Sequence, residues 1–150
     1  MLDQMFAAKK GGGATMNGKH IHVSTCTEKT QALVLTALGH QRSEQLLRSK
    51  VDAMLDLAKS PSPVHGILMT GSAAVNMCLV ASGQADVYYE HGIHCWDIAA
   101  GDVIVREAGG ATMMPNGNTL DLMKRGILCS SSTQLASQLV PTIRHIFQKD

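Results

Sequence analysis

The chain has 150 residues, a net charge of +1, and 45% hydrophobic, 17% charged and 3% aromatic residues. That length fits one domain with a real core, and the charge and aromatic content exclude a basic nucleic-acid face and a base-stacking surface. No apolar run approaches the ~20 residues that span a bilayer, so the sequence predicts no membrane or nucleic-acid partner.

The opening segment, MLDQMFAAKKGGG, does not read as a secretory leader, because no apolar stretch is followed by a cleavage site. Met5-Phe6-Ala7 reads as the end of a strand, Lys9 to Gly13 as a turn, and Asn17-Gly18 as a tight hairpin turn into His20-Ile21-His22-Val23. A strand this near the start asks for partners, which predicts a fragment or a shortened isoform.

Residues 31–37 (QALVLTA) form a continuous apolar run of strand length, expected to be buried on both faces. Residues 43–58 follow helical period. Leu46, Leu47, Val51, Met54, Leu55 and Ala58 are predicted on the core side, and Arg48, Lys50 and Asp52 on the solvent side. The run Ser60-Pro61-Ser62-Pro63 is a loop. A strand over 64–70, a turn at Gly71 and an apolar helix over 72–82 closed by Gly83 follow. Next come a strand over 85–90, a helix over 97–108 stopped by Gly109-Gly110, and a short strand over 111–114. Pro115-Asn116-Gly117-Asn118 is a turn, and residues 127–130 form a strand. A last helix is predicted over 132–147, with Pro141 either kinking it or starting a second one. Strands alternating with helices from Gln31 onward predict a layered α/β domain.

Cys26, Cys78, Cys95 and Cys129 are widely spaced and form no CxxC pair, so they read as reduced, mostly buried thiols of a cytoplasmic protein. Met77, Met113, Met114 and Met123 read as core filler. His91, His94 and Cys95 match no zinc spacing, and His20 and His22 read as a solvated strand edge. Lys9 to Thr15 is not a phosphate loop, since no Gly-Lys-[Ser/Thr] follows at the required spacing.

Two segments offer chemistry. A strand, Gly71 and a helix beginning at Ser72-Ala73-Ala74 would point backbone N–H groups and the helix dipole at an anion or hydroxyl; Ser72 also reads as an ordinary N-cap with Gly71 supplying the turn. In EHGIHCWD, Glu90 and Asp97 are carboxylates suited to a substrate hydroxyl and a hard divalent cation. The competing reading makes Asp97 a helix cap and Glu90 a solvated strand end.

Trp96 to Gly110 fits the pattern W-D-x-A-[AG]-x-x-x-x-[IV]-x-E-A-G-G. With GSAAVNMC and FAAKKGGGATMNGKHIHVS, it makes the chain resemble the inositol monophosphatase family, most closely its animal-type inositol-1-phosphate branch. The resemblance implies the C-terminal half of the sugar-phosphatase fold, an α/β sandwich, with residues 1–24 a hairpin left from an N-terminal domain and 25–150 a C-terminal α/β domain. It implies Mg²⁺-dependent hydrolysis of myo-inositol 1-phosphate by a cytoplasmic, lithium-sensitive homodimer. Asp97 would be a metal ligand, Glu90 would hold an inositol hydroxyl, and Gly71, Ser72 and Ala73 would lie along the substrate. Ser72 stands where the family usually has threonine, and Ala37 replaces a glutamate common in animal members. The family's early metal-binding glutamate and D-P-[IL]-D-G-T motif do not occur here, which predicts a chain inactive alone, or a non-catalytic isoform that pairs with a full-length subunit.

Overall fold

The apolar strands set the architecture through their period of two. In a computed structural model describing residues 3–40, 43–59 and 61–144, strands β4 (Leu33–Thr36), β5 (Gly66–Met69), β6 (Val87–His91), β7 (Ala111–Met113) and β8 (Gly126–Ser130) form one sheet in the order β5-β4-β6-β8-β7. β4 runs parallel to both β5 and β6, while β8 is antiparallel to β6 and β7. Leu35, Tyr88, Ile127 and Cys129 point to one face, and Val34, Val87, Tyr89 and Leu128 to the other.

Helices close both faces. Helices α2 (Ala73–Ala81) and α3 (Cys95–Glu107) cover the first through Met77, Val80, Ile98, Ile104 and Val105. Helices α1 (Glu44–Ala58) and α4 (Thr133–Ile143) cover the second through Ala53, Leu57, Leu135, Leu139 and Ile143. The layered α/β domain expected from the alternation is the one observed. β4 is buried as its unbroken apolar run predicts. The α2–α3 contact is close because position 101 carries no side chain: a Cβ there would lie 2.6 Å from Met77 Sδ and 2.9 Å from Met77 Cβ.

A separate antiparallel sheet of β1 (Phe6–Lys9), β2 (Gly13–Met16) and β3 (Lys19–Ile21) packs beside α3. Asn17 and Gly18 form its second turn at φ 51° and 77°, as the dipeptide predicts. Ala14 enters the α2–α3 core. The Glu107 carboxylate at the end of α3 accepts from the amides of Gly11 and Gly13, both at 2.9 Å. Farther along, Asp86 accepts from the Ser24 hydroxyl and from Leu33 N, stitching the hairpin's exit to the start of β4.

Several expectations need correction. Helix α1 turns a different face inward: Ser49, Lys50, Ala53 and Leu57 are buried, while Val51 and Leu55 are 51% and 60% exposed. Positions 46, 50, 53 and 57 also follow helical spacing, and neighbouring α4 and β4 meet the Ala53–Leu57 stripe. Met123 is 77% exposed and is no core filler. Helix α3 begins two residues earlier than expected, with His94 as its N-cap. Helix α4 continues through Pro141 to Ile143; the expected extension to Phe147, and Ser60 in the predicted loop, lie outside the described residues. The described cysteines are free thiols, as expected, but only Cys129 is buried while Cys26, Cys78 and Cys95 are partly exposed, so the expectation of mostly buried thiols does not hold. His20 and His22 are exposed, as expected.

Candidate active site

The carboxyl ends of β4, β5 and β6 point the same way, and a crevice at such ends is where open α/β sheets bind ligands. A cleft of about 440 Å³ opens there. Gly39 and His40 line it from the β4–α1 loop, Gly71 to Ala74 from the β5–α2 turn and first turn of α2, Glu90 from β6, and Gly92, Ile93, Trp96 and Asp97 from the entry to α3. All five residues singled out by sequence, Gly71, Ser72, Ala73, Glu90 and Asp97, border this one cleft. A second lobe of about 380 Å³, walled by Ala37, Leu38, Met69 and Thr70, shares Gly39, Gly71 and Glu90 with it.

Ser72 is the N-cap of α2, and its hydroxyl accepts from Val75 N at 3.3 Å. The capping and cleft-lining roles coexist. Gly71 supplies space rather than an unusual turn: its φ is not positive, and a Cβ there would meet nothing within 4 Å. The Thr70 hydroxyl donates to the side-chain amide oxygen Oδ1 of the buried Asn76, binding the end of β5 to α2.

Asp97 is not the cap of α3 but its third residue. Its Oδ2 accepts from His94 N at 2.8 Å, a first-turn carboxylate favoured by the helix dipole. His94 stacks on the 74% exposed Trp96 at 4.5 Å between ring centroids. Arg125 braces the same turn, donating to Gly92 O at 2.8 Å.

Glu90 is 8% exposed, so it is no solvated strand end. The Tyr88 hydroxyl donates to its Oε2. Burial pushes the Glu90 carboxyl above the ordinary carboxylate range; the Tyr88 hydrogen bond and the Lys50 ammonium pull it down, Asp97 adds to the push, and His40 opposes it. Burial, reinforced by the charge of Glu90, pushes the Tyr88 phenol far up, so Tyr88 remains a donor.

The donor set can be tested against a divalent cation. Among the described residues no group of three or more His, Cys, Asp and Glu side chains is placed to hold a metal. Asp97 is one hard oxygen ligand with one oxygen already engaged. Mg²⁺ dehydrates reluctantly and is held by one or two carboxylates together with substrate phosphates; Asp97 alone supplies one such contact, so the residues present do not fit a complete metal centre.

The sequence profile of the inositol monophosphatase family matches residues 1–148. The chain belongs to the inositol monophosphatase family. It is 45% identical over 149 residues to inositol monophosphatase 1 of Mus musculus, covering 99% of this chain and 53% of that protein. Against the Homo sapiens inositol monophosphatase 1 it is 44% identical over 148 residues, covering 98% and 53%. The chain thus spans about half the length of the curated relatives it matches. The solved inositol monophosphatase of Anabaena superposes with a TM-score of 0.84 at 28% identity, over 95% of this chain and 56% of that one. The Thermotoga maritima IMPase gives a TM-score of 0.80 at 25% identity, over 96% and 52%. The resemblance drawn from Trp96 to Gly110 is therefore correct in family and in fold.

Gly39, His40, Lys50 and Tyr88 are site residues that sequence reasoning does not single out. Tyr88 had a readable signal, since residues two apart on a strand share a face, and Glu90 follows it by two. Lys50 had none: a lysine on the polar side of an amphipathic pattern reads as solvated.

Proposed function

We propose that this chain supplies the substrate-binding half of a phosphate monoester hydrolase acting on myo-inositol 1-phosphate and releasing inositol and phosphate. The observation that carries the reading is the meeting of Gly71, Ser72, Ala73, Glu90 and Asp97, from three separate elements, around one cleft. The first turn of α2 presents backbone N–H groups where a phosphate ester would lie. Gly71 leaves room beside them. Glu90, fixed by Tyr88, accepts a hydroxyl of the cyclitol ring. Asp97 contributes one ligand to Mg²⁺, which when bound would supply an activated water and charge stabilisation for the leaving alkoxide. Further carboxylates must join it from outside the described residues. On the same reading the assembled enzyme is a cytoplasmic, lithium-sensitive homodimer. No helix among the described residues is long and apolar enough to cross a membrane.

The test is Mg²⁺-dependent phosphate release from myo-inositol 1-phosphate. These 150 residues alone are expected to give little or none, because a single ligand does not hold the ion. In a longer polypeptide that adds the family's acidic motif ahead of them, turnover is expected, and Asp97→Asn should lower it by about 100-fold or more. Full turnover by the 150 residues alone, or an unchanged rate in the longer polypeptide carrying Asp97→Asn, would sink the assignment.

A second reading, a non-catalytic isoform that pairs with a full-length subunit, is favoured by the edges. β1 pairs with β2 alone among the described strands, and edge strand β5 exposes Leu68 and Met69 by 49% and 50%. Co-purification with a full-length family member tests it; a monodisperse monomer without such affinity refutes it.

A further inference from the structure

Lys50 and Glu90 are 5% and 8% exposed, and no other Lys, Arg, Asp or Glu among the described residues is buried. Charged side chains go inside only when paired or hydrogen-bonded. These two come from different elements, α1 and β6, and meet at one place. That place is Gly39, at φ +67°: a Cβ there would lie 3.3 Å from Lys50 Nζ and 3.4 Å from Glu90 Oε1. The missing side chain leaves room for an ammonium and a carboxylate to approach the same point of the loop.

Lys50 Nζ also donates to Leu38 O, in the loop after β4, and faces His91 O, at the end of β6, at 3.5 Å. An ammonium has three donors and no acceptor. This one is directed at the two segments that carry Gly39 and Glu90. Helix α1 adopts this orientation although it leaves Val51 and Leu55 in solvent.

We infer that Lys50 is a positioning residue of the cleft, its ammonium tying the β4–α1 loop to the end of β6 and fixing the Glu90 carboxylate at the cleft wall. The inference rests on the proposed reading of Glu90 as the group that accepts a substrate hydroxyl. Its chemical consequence is specific. A carboxylate accepts from a polyol hydroxyl by a charge-assisted bond, whereas a neutral carboxyl does so weakly. Burial works against the charged form of Glu90, and so does Asp97 from α3. Tyr88 from β6, Lys50 from α1 and His40 from the β4–α1 loop work for it. Of these three, Lys50 is the buried cation.

The experiment follows the Glu90 side-chain carboxyl by carbon-13 NMR against pH in the intact 150-residue chain, with Lys50→Met, Lys50→Gln and Lys50→Arg. Replacing a buried ion by Met is often neutral or stabilising. Lys50→Gln keeps an N–H donor while removing the charge, and so decides the matter should the Met variant not give the parent amide spectrum. The Glu90 titration midpoint is expected to rise by about one pH unit or more in the Met and Gln variants, the usual size for loss of a nearby opposite charge. It should stay near the parent value in Lys50→Arg. A midpoint unmoved in a folded Met or Gln variant overturns the inference, since a purely structural lysine would leave it in place. Adding myo-inositol 1-phosphate to the parent chain tests the Glu90 reading separately. A Lys50-dependent midpoint with a Glu90 resonance indifferent to that ester supports the Lys50 assignment and refutes the substrate role of Glu90.

Discussion

The cleft has two walls of different origin. One is built from the first turns of α2 and α3, where Ser72, Ala73, Trp96 and Asp97 sit within short continuous motifs. The other comes from the β4–α1 loop, with Lys50 of α1 behind it, where Gly39 and His40 mean little until the chain has folded. The first wall is local chemistry, with each helix start carrying its own cap. The second is tertiary: Lys50 of α1 and Glu90 of β6 come from separate elements and both lie beside Gly39. Mutations should therefore act on the two walls through different terms.

The largest expected effect probes the second wall. Leu57→Ala, at a fully buried site on α1, should cost about 2–5 kcal/mol. Val51→Ala, on the outward face of the same helix, should stay within about 0.5 kcal/mol. Urea unfolding of both variants checks the observed orientation of α1, and equal losses would mean the helix is rotated. A smaller effect addresses the first wall. Gly101→Ala forces a methyl into Met77, and overpacking of this kind costs about 1–3 kcal/mol. A thermal melt as stable as the parent would show that α2 and α3 separate readily.

The subtlest effect is in pH dependence, where two carboxylates have opposite signs. Glu90 in the cleft is raised by burial. Its contribution to stability is present below the unfolded carboxyl value and is lost as pH rises through the folded one. Glu107, at the far end of α3, is lowered, first by the Gly11 amide and then by that of Gly13. Its contribution is present above the unfolded value and is lost as pH falls through the folded one. Glu90→Gln should flatten the decline on the higher-pH side of the carboxylate range, and Glu107→Gln the decline on the acid side. Melting temperatures from pH 3 to 7 that merely shift by a constant in both variants would contradict these assignments.

What the sequence discloses follows the same division. The hairpin turn at Asn17-Gly18, the apolar run of β4 and the signature from Trp96 to Gly110 are legible because each is specified by adjacent residues. The boundary of α3 is not, because a histidine, unusual as a cap, takes the position before the helix while Asp97 reaches back to it. The inward face of α1 is hidden for a deeper reason. Counting apolar side chains favours Val51 and Leu55, yet a lysine is taken inside by the carbonyls at Leu38 and His91. Periodicity weighs hydrophobicity and has no term for a buried cation's partners.

Helix α3 holds Asp97 in its first turn and Glu107 in its last. Its thirteen residues make a strut of about 20 Å. One tip stands at the mouth of the cleft; the other is clasped to the glycine turn between β1 and β2. The ribbon is thus anchored to the far end of the same helix whose first turn lines the pocket.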